Sequence, residues 1–208
     1  MINGQKKNPG NLSVTSYQRM TPKINHSPLA TPSFLLMAAL VFNFSQTSFS
    51  QTFLSNNGGL ISIKPGTFMS VHDDVINLND GEFYNQDTIF LFGDWTNDAG
   101  NPSFFVPGEG TVIMLGDEQH INGTDVTVFN NLELRATNIK YADLDVVVEN
   151  ELILNDREFN CDTNTVFVTN PDPAIVTSDG GFVSSLSDGG LSREMNTNAD
   201  YFFPVGSS

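Results

Sequence analysis

Short alternating apolar segments recur roughly every 20 residues, and few folds accept that spacing. Gly59-Leu60-Ile61-Ser62-Ile63, Gly110-Thr111-Val112-Ile113-Met114-Leu115, Asn131-Leu132-Glu133-Leu134 and Glu151-Leu152-Ile153-Leu154 each enter an apolar triplet or quartet from a small or polar residue. With Gly81 included, the starts fall at positions 59, 81, 110, 131 and 151, the widest interval lying between Gly81 and Gly110. One coil of a parallel β-solenoid uses about 20 residues, and a longer interval reads as a coil enlarged by a loop. Like residues then stack every ~4.8 Å, apolar columns inside and polar ladders outside. Asn-rich corners suit such stacking, because aligned amides bond to one another. The alternative is a β-sandwich or jelly roll, whose hairpin-joined strands run to about five or six residues. The strands here are shorter, so an all-β, parallel β-solenoid is expected.

Other segments agree. Val126-Thr127-Val128-Phe129, Leu144-Asp145-Val146-Val147-Val148 and Thr165-Val166-Phe167-Val168 read as strands. Turn formers separate the strands: Asn57-Gly58-Gly59, Pro65-Gly66, Asn79-Asp80-Gly81, Asn122-Gly123 and Asp188-Gly189-Gly190 among them. No twelve-residue window carries a 3.6-residue apolar stripe. Gly93–Pro102, which holds the single tryptophan, Trp95, reads as an irregular insert. There Trp95 would either stack a sugar ring or fold back over an apolar edge.

Charge divides the chain in two. Residues 1–50 hold Lys6, Lys7, Arg19 and Lys23 and no acid; residues 51–208 hold all 24 acids against five bases, a net −19. At the step lies Phe34-Leu35-Leu36-Met37-Ala38-Ala39-Leu40-Val41-Phe42. As a helix at ~1.5 Å per residue it covers less than half of a ~30 Å bilayer core, but it fits the h-region (34–42) of a signal peptide. Ser48-Phe49-Ser50 sets small residues before Gln51, placing cleavage near 50/51; Met20 offers a second start that keeps Lys23 in a shorter n-region. Residues 1–50 are therefore expected to be a secretion leader and 51–208 the mature, secreted domain, with no transmembrane span. No cysteine follows the h-region to carry a lipid anchor. The sole cysteine, Cys161, excludes an intrachain disulfide and reads as a small buried hydrophobe. The acidic balance argues against nucleic acid as a partner.

From residue 110 onward the order of motifs resembles a known group. Gly110–Gly116, then Gln119-His120-Ile121-Asn122-Gly123, then Thr127–Leu134, with a closure of Phe182-Val183, Leu191-Ser192-Arg193 and Phe202-Phe203-Pro204-Val205-Gly206, is similar to large secreted adhesin-like, gliding-motility-associated repeat proteins of Bacteroidota. The resemblance spans 110–208; 51–109 match loosely, and Ser184–Asp188 departs from the usual small turn. It implies a β-rich surface region without an active site and type IX export. It also implies continuation into a sorting domain, so the chain is expected to be an N-terminal fragment of a longer product.

Chemistry-bearing residues give little independent support for catalysis. His26 lies in the leader, His72 precedes Asp73-Asp74, and His120 stands between Gln119 and Ile121. No Gly-x-Ser-x-Gly elbow, His-x-x-x-His pair or phosphate loop occurs. Paired acids could cleave a polysaccharide, with Asp73-Asp74, Asp117-Glu118 and Asp143 with Asp145 as candidates, though no sequence pattern aligns them on neighbouring coils. Asn77-x-Asn79-Asp80-Gly81 and Asp156 to Asp162 have part of a calcium spacing without the distal Glu, leaving structural calcium as the one cofactor weighed. The resulting expectation is a non-enzymatic, exported structural or adhesin-like protein with no catalytic, cofactor or metal residues. A carbohydrate-active or carbohydrate-binding β-helix is the alternative. Phe202-Phe203 at an uncapped last coil is expected to favour end-to-end self-association.

Overall fold

Alternating apolar residues become, in three dimensions, columns of side chains running across successive turns. The structure is a computed structural model describing residues 53–100, 105–107 (backbone) and 109–207, all within the compact unit Ser48–Ser208. The leader assigned to residues 1–50, including the 34–42 run, the 50/51 cleavage point and His26, lies outside the described residues.

Three faces of parallel strands enclose the core. Face 1 stacks β1 (Leu54–Asn57), β4 (Val75–Leu78), β7 (Trp95–Asp98), β10 (Gln119–Gly123), β12 (Lys140–Ala142), β14 (Glu158–Asn160), β17 (Phe182–Ser184) and β19 (Val205–Gly206). Face 2 begins with β2 (Leu60–Ile63), β5 (Glu82–Asn85) and β8 (Phe105–Pro107). Face 3 begins with β3 (Phe68–Val71), β6 (Thr88–Leu91) and β9 (Thr111–Met114). From the fourth turn the two faces share strands. In β11 (Thr127–Leu134) and β13 (Val146–Ile153) the first halves pair with each other, as do the second halves. The second half of β11 continues β9, while β13 passes to β15 (Thr165–Val168) from its first half and to β16 (Val176–Thr177) from its second. Finally β15 pairs with β18 (Gly190–Arg193). Every pairing among these strands is parallel, and the chain completes about seven turns, so the expected solenoid is the fold.

Register on face 1 sets Leu54 beside Val75, Val75 beside Trp95 and Trp95 beside Ile121. It continues from Gln119 to Lys140, Lys140 to Phe159, Phe159 to Val183 and Val183 to Val205. The intervals read from sequence need one correction. Gly59 and Gly81 stand ahead of face 2 strands, whereas Gly110, Asn131 and Glu151 open face 3. The wide interval from Gly81 to Gly110 is thus one turn plus one face, and the enlarged turn is instead the one that carries Trp95 to Ile121.

A single column shows how the core forms. Met69, Ile89, Val112, Leu132, Leu152 and Val176 follow one another in register, and all but the first are buried. Each such side chain contributes about 1.5–3 kcal/mol by leaving water. Trp95, placed in an insert from sequence, is the first residue of β7 and only 2% exposed. Its ring packs 5.2 Å from Phe83 and 5.5 Å from Phe129, so it fills the core and is not available to a sugar. Cys161 is buried in the same core, and burial pushes its thiol pKa up.

Two ladders of amides close the corners. Asn56 donates to Asn77 (3.1 Å), Asn77 to Asn97 (3.3 Å) and Asn97 to the Val126 carbonyl (3.1 Å). The ladder ends there because Gly123 occupies the next rung, with φ +122° and no room for a Cβ beside the Asn97 carbonyl. In later turns the corner between faces 2 and 3 takes over, with Asn170 donating to Asn150 and Asn150 to Asn131, each at 2.7 Å.

Candidate functional site

Outward-facing positions of face 1 gather a cluster that joins a histidine to several acids. Register places Asp94 next to His120 and His120 next to Tyr141 on successive turns. The His120 ring stacks on Tyr141 with centroids 4.7 Å apart, its Nδ1 lies 2.8 Å from Asp143 Oδ2, and its Nε2 lies 3.8 Å from Glu118 Oε1. Burial pushes the Asp94 carboxyl pKa up, the charges of Asp74 and Asp143 act in the same direction, and His120 opposes them. Asp94 therefore holds its proton more readily than an ordinary carboxyl, with acids of two other turns nearby. Of the acids named from the sequence, Glu118 and Asp143 come together at His120 from adjacent turns, an alignment that no sequence pattern showed. Their alignment is visible only once the register is known.

Most acids with a described partner hold backbone. Asp74 accepts from the Asp94 N–H, Asp94 from the His120 N–H, Asp98 from the Thr124 N–H and Asp145 from the Thr165 N–H, all at 2.8 Å. Asp87 accepts from the Gly66 N–H (2.6 Å) and Asp125 from the Gly100 N–H (2.9 Å). Each of the six bonds joins adjacent turns. The corner backbone turns away from the ladders, leaving N–H groups that need an acceptor, and a short carboxylate from the next rung supplies a charged one.

The remaining sequence candidates are dispersed. Asp117 accepts from the Thr137 hydroxyl. His72 stacks on Phe92 at 4.7 Å, and Asp73 accepts from the Asp74 N–H. Asn77 has both ends of its amide engaged, by Asn56 on one side and by Asn97 and Gly81 on the other, so its oxygen serves the ladder rather than calcium. Asn79 donates to Asn57. Asp156 pairs with Arg157, whose hydrogen bond holds its pKa below the usual carboxylate range. Among the described residues no three His, Cys, Asp or Glu side chains are arranged to hold a metal ion.

Two cations have defined places: Lys140, which no motif singled out, and Arg193 of the closure motif. Lys140, fully buried, donates to the carbonyls of Gly116, Asp117 and Thr137. Burial pushes its amine pKa down to about 8, Arg157 adds to that, and Asp117 opposes it. Arg193 donates to the carbonyls of Phe202 (2.6 Å), Asp172 (3.0 Å) and Pro173 (3.1 Å) and lies against the rings of Tyr201 and Phe203. The two halves of the Leu-x-Arg and Phe-Pro-Val-Gly closure thus meet through one guanidinium.

No family model, curated protein or solved structure matches the chain.

Proposed function

We propose that the protein is an exported, non-enzymatic surface or extracellular element whose solenoid body acts as a rigid spacer and display surface, in the manner of an adhesin. The observation that carries this reading is the use of acids as bonds between turns: six carboxylates accept backbone N–H groups across neighbouring coils. A carboxylate so held orders the corner and keeps its remaining charge toward solvent. The net −19 of residues 51–208 then favours solubility and discourages side-by-side packing. Among the described residues no helix is long and apolar enough to cross a membrane. The motif order after residue 110 supports a place among adhesin-like repeat proteins of Bacteroidota, with type IX export as part of that proposal. The test is expression in a Bacteroidota host followed by N-terminal sequencing of the extracellular protein. A mature start at or beside Gln51 supports the reading; retention in the cytoplasm with the leader intact overturns it.

A second reading rests on the face 1 cluster. Asp94 with its raised pKa, the His120–Asp143 pair and Glu118 together offer a proton donor and proton acceptors on one surface, as polysaccharide cleavage requires. Under this reading the chain cleaves an extracellular glycan and Asp143→Asn abolishes cleavage. A panel of plant, algal and bacterial polysaccharides left intact by the purified protein removes it.

A further inference from the structure

Asp172-Pro173, in the corner between β15 and β16, carries a peptide bond of unusual chemistry. A proline nitrogen has no hydrogen and is more basic than an ordinary amide nitrogen, so it departs more readily once protonated. An aspartate ahead of it sets a carboxylate one methylene from the carbon that must be attacked. In a flexible chain the two groups meet only in passing, and the bond lasts.

Here the fold grips the bond from both sides. Asn170, a rung of the second amide ladder, accepts from the Asp172 N–H (3.0 Å), and the Tyr201 hydroxyl donates to the Pro171 carbonyl (2.8 Å). Arg193 Nη2 donates to the carbonyls of both Asp172 (3.0 Å) and Pro173 (3.1 Å), while Nη1 is anchored on Phe202. Three consecutive carbonyls, those of Pro171, Asp172 and Pro173, thus each accept from a side chain of the closure. The middle one belongs to the Asp–Pro bond. Arg193 is buried against the rings of Tyr201 and Phe203, so its charge bears on that carbonyl with little screening. Asp172 itself is exposed to water. Its Oδ1 accepts from the Ala174 N–H (2.9 Å), which draws the carboxylate along the bond to Pro173. Among the described residues no donor reaches Oδ2.

We propose that the protein cuts its own chain between Asp172 and Pro173, with the Asp172 carboxylate as nucleophile, Arg193 as oxyanion stabiliser and water as co-reactant. A carboxylate oxygen adds to the residue's own carbonyl carbon, and negative charge develops on the oxygen to which Arg193 already donates. The carbon–nitrogen bond breaks, its electron pair stays on the Pro173 nitrogen, and a solvent proton joins it there. The cyclic anhydride left at Asp172 is opened by water. In sum one water is consumed: its oxygen ends in a carboxylate and its two hydrogens on the proline nitrogen, with nothing oxidised or reduced. Each molecule cuts once. The two pieces stay wound together, because β16, β17 and β18 pair with β13, β14 and β15. The inference concerns chemistry within the chain and stands whether or not the protein is exported.

The test is incubation of the purified full chain in mildly acidic buffer, folded and in urea, followed by intact-mass spectrometry and N-terminal sequencing. A fragment beginning at Pro173 should accumulate about a hundredfold faster from the folded chain than from the unfolded one. Asp172→Ala removes the nucleophile and should stop the cut. Pro173→Ala leaves the Arg193 contacts in place, should stop it too, and should not change the melting temperature. Arg193→Lys, if it folds, should bring the rate down to that of the unfolded chain; if it does not fold, the comparison in urea carries the same information. Three outcomes would overturn the proposal: no fragment beginning at Pro173, equal rates from folded and unfolded chains, or a cut that persists in Asp172→Ala. Equal rates would assign the cut to ordinary acid hydrolysis, without help from the fold.

Discussion

The first three turns and the later four reach the same end with different materials. In the early turns the corner after face 1 is closed by a buried amide ladder, Asn56–Asn77–Asn97, and the core is filled by Phe83 and Trp95. In the later turns that ladder is gone, the core is largely Val and Leu, and a buried ammonium, Lys140, gathers three corner carbonyls. Faces 2 and 3 are separate strands early on and single continuous strands in β11 and β13, where the register shifts after Phe129. The difference teaches that a solenoid corner needs its backbone groups satisfied but does not prescribe by what. An amide both donates and accepts, so it can repeat indefinitely from rung to rung. An ammonium only donates, so Lys140 serves its corner without a like neighbour above or below.

The contrast breaks first, and hardest, in the core. Trp95→Ala leaves a large void between Phe83 and Phe129 and should cost about 3–5 kcal/mol, against about 2 kcal/mol for Val166→Ala in the later turns, both read by urea denaturation. Equal losses would mean that the aromatic turns carry no special share of the stability.

Alkaline titration separates the two corner devices next. The folded chain holds the Lys140 proton less tightly than the unfolded chain, with a pKa of about 8 against 10.5. Below pH 8 both states are protonated and the folded state carries the full penalty. As pH rises from 8 toward 10.5 the folded state releases the proton first, so this residue's contribution to stability increases, by an amount on the order of 3 kcal/mol. Subtracting the pH profile of Lys140→Met from that of the native protein should isolate a rise in this window. A flat difference would show that the three carbonyls hold the ammonium as firmly as water does.

A smaller effect sharpens the comparison of amides. Asn77→Ala removes two rungs of the buried ladder and the bond to Gly81, and should cost about 2–3 kcal/mol. Asn150→Ala, in a partly buried ladder, should cost about 1 kcal/mol. Thermal unfolding of both variants checks the order.

The later turns were the more legible in sequence. β11, β13 and β15 announce themselves as runs of Val, Leu and Phe in alternation, and the repeat of one coil is plain between Asn131 and Glu151. Strands such as Leu54-Ser55-Asn56-Asn57, Trp95-Thr96-Asn97-Asp98 and Glu158-Phe159-Asn160 do not, because their inward positions are partly filled by asparagine or their apolar content is a single residue. A polar residue facing the core reads as a turn until its partner one turn away is known. The same holds for the face 1 cluster. His120, Asp143 and Glu118 could be singled out as types, but Asp94 and Tyr141 join them through pairings a full turn distant, which no local window contains. Lys140 was hidden for the same reason: two of its three carbonyl partners, Gly116 and Asp117, come from the preceding turn.

Amide hydrogen exchange tests most directly the claim that carboxylates tie successive turns together. The N–H groups of Gly66, Asp94, Gly100, His120, Thr124 and Thr165 each donate to an acid on the adjacent turn. All six should exchange at least about a hundredfold more slowly than free corner amides, and Asp145→Ala should release Thr165 while leaving the other five protected. Exchange at the rate of an unstructured loop in the native protein, or a Thr165 amide indifferent to the loss of Asp145, would contradict the account.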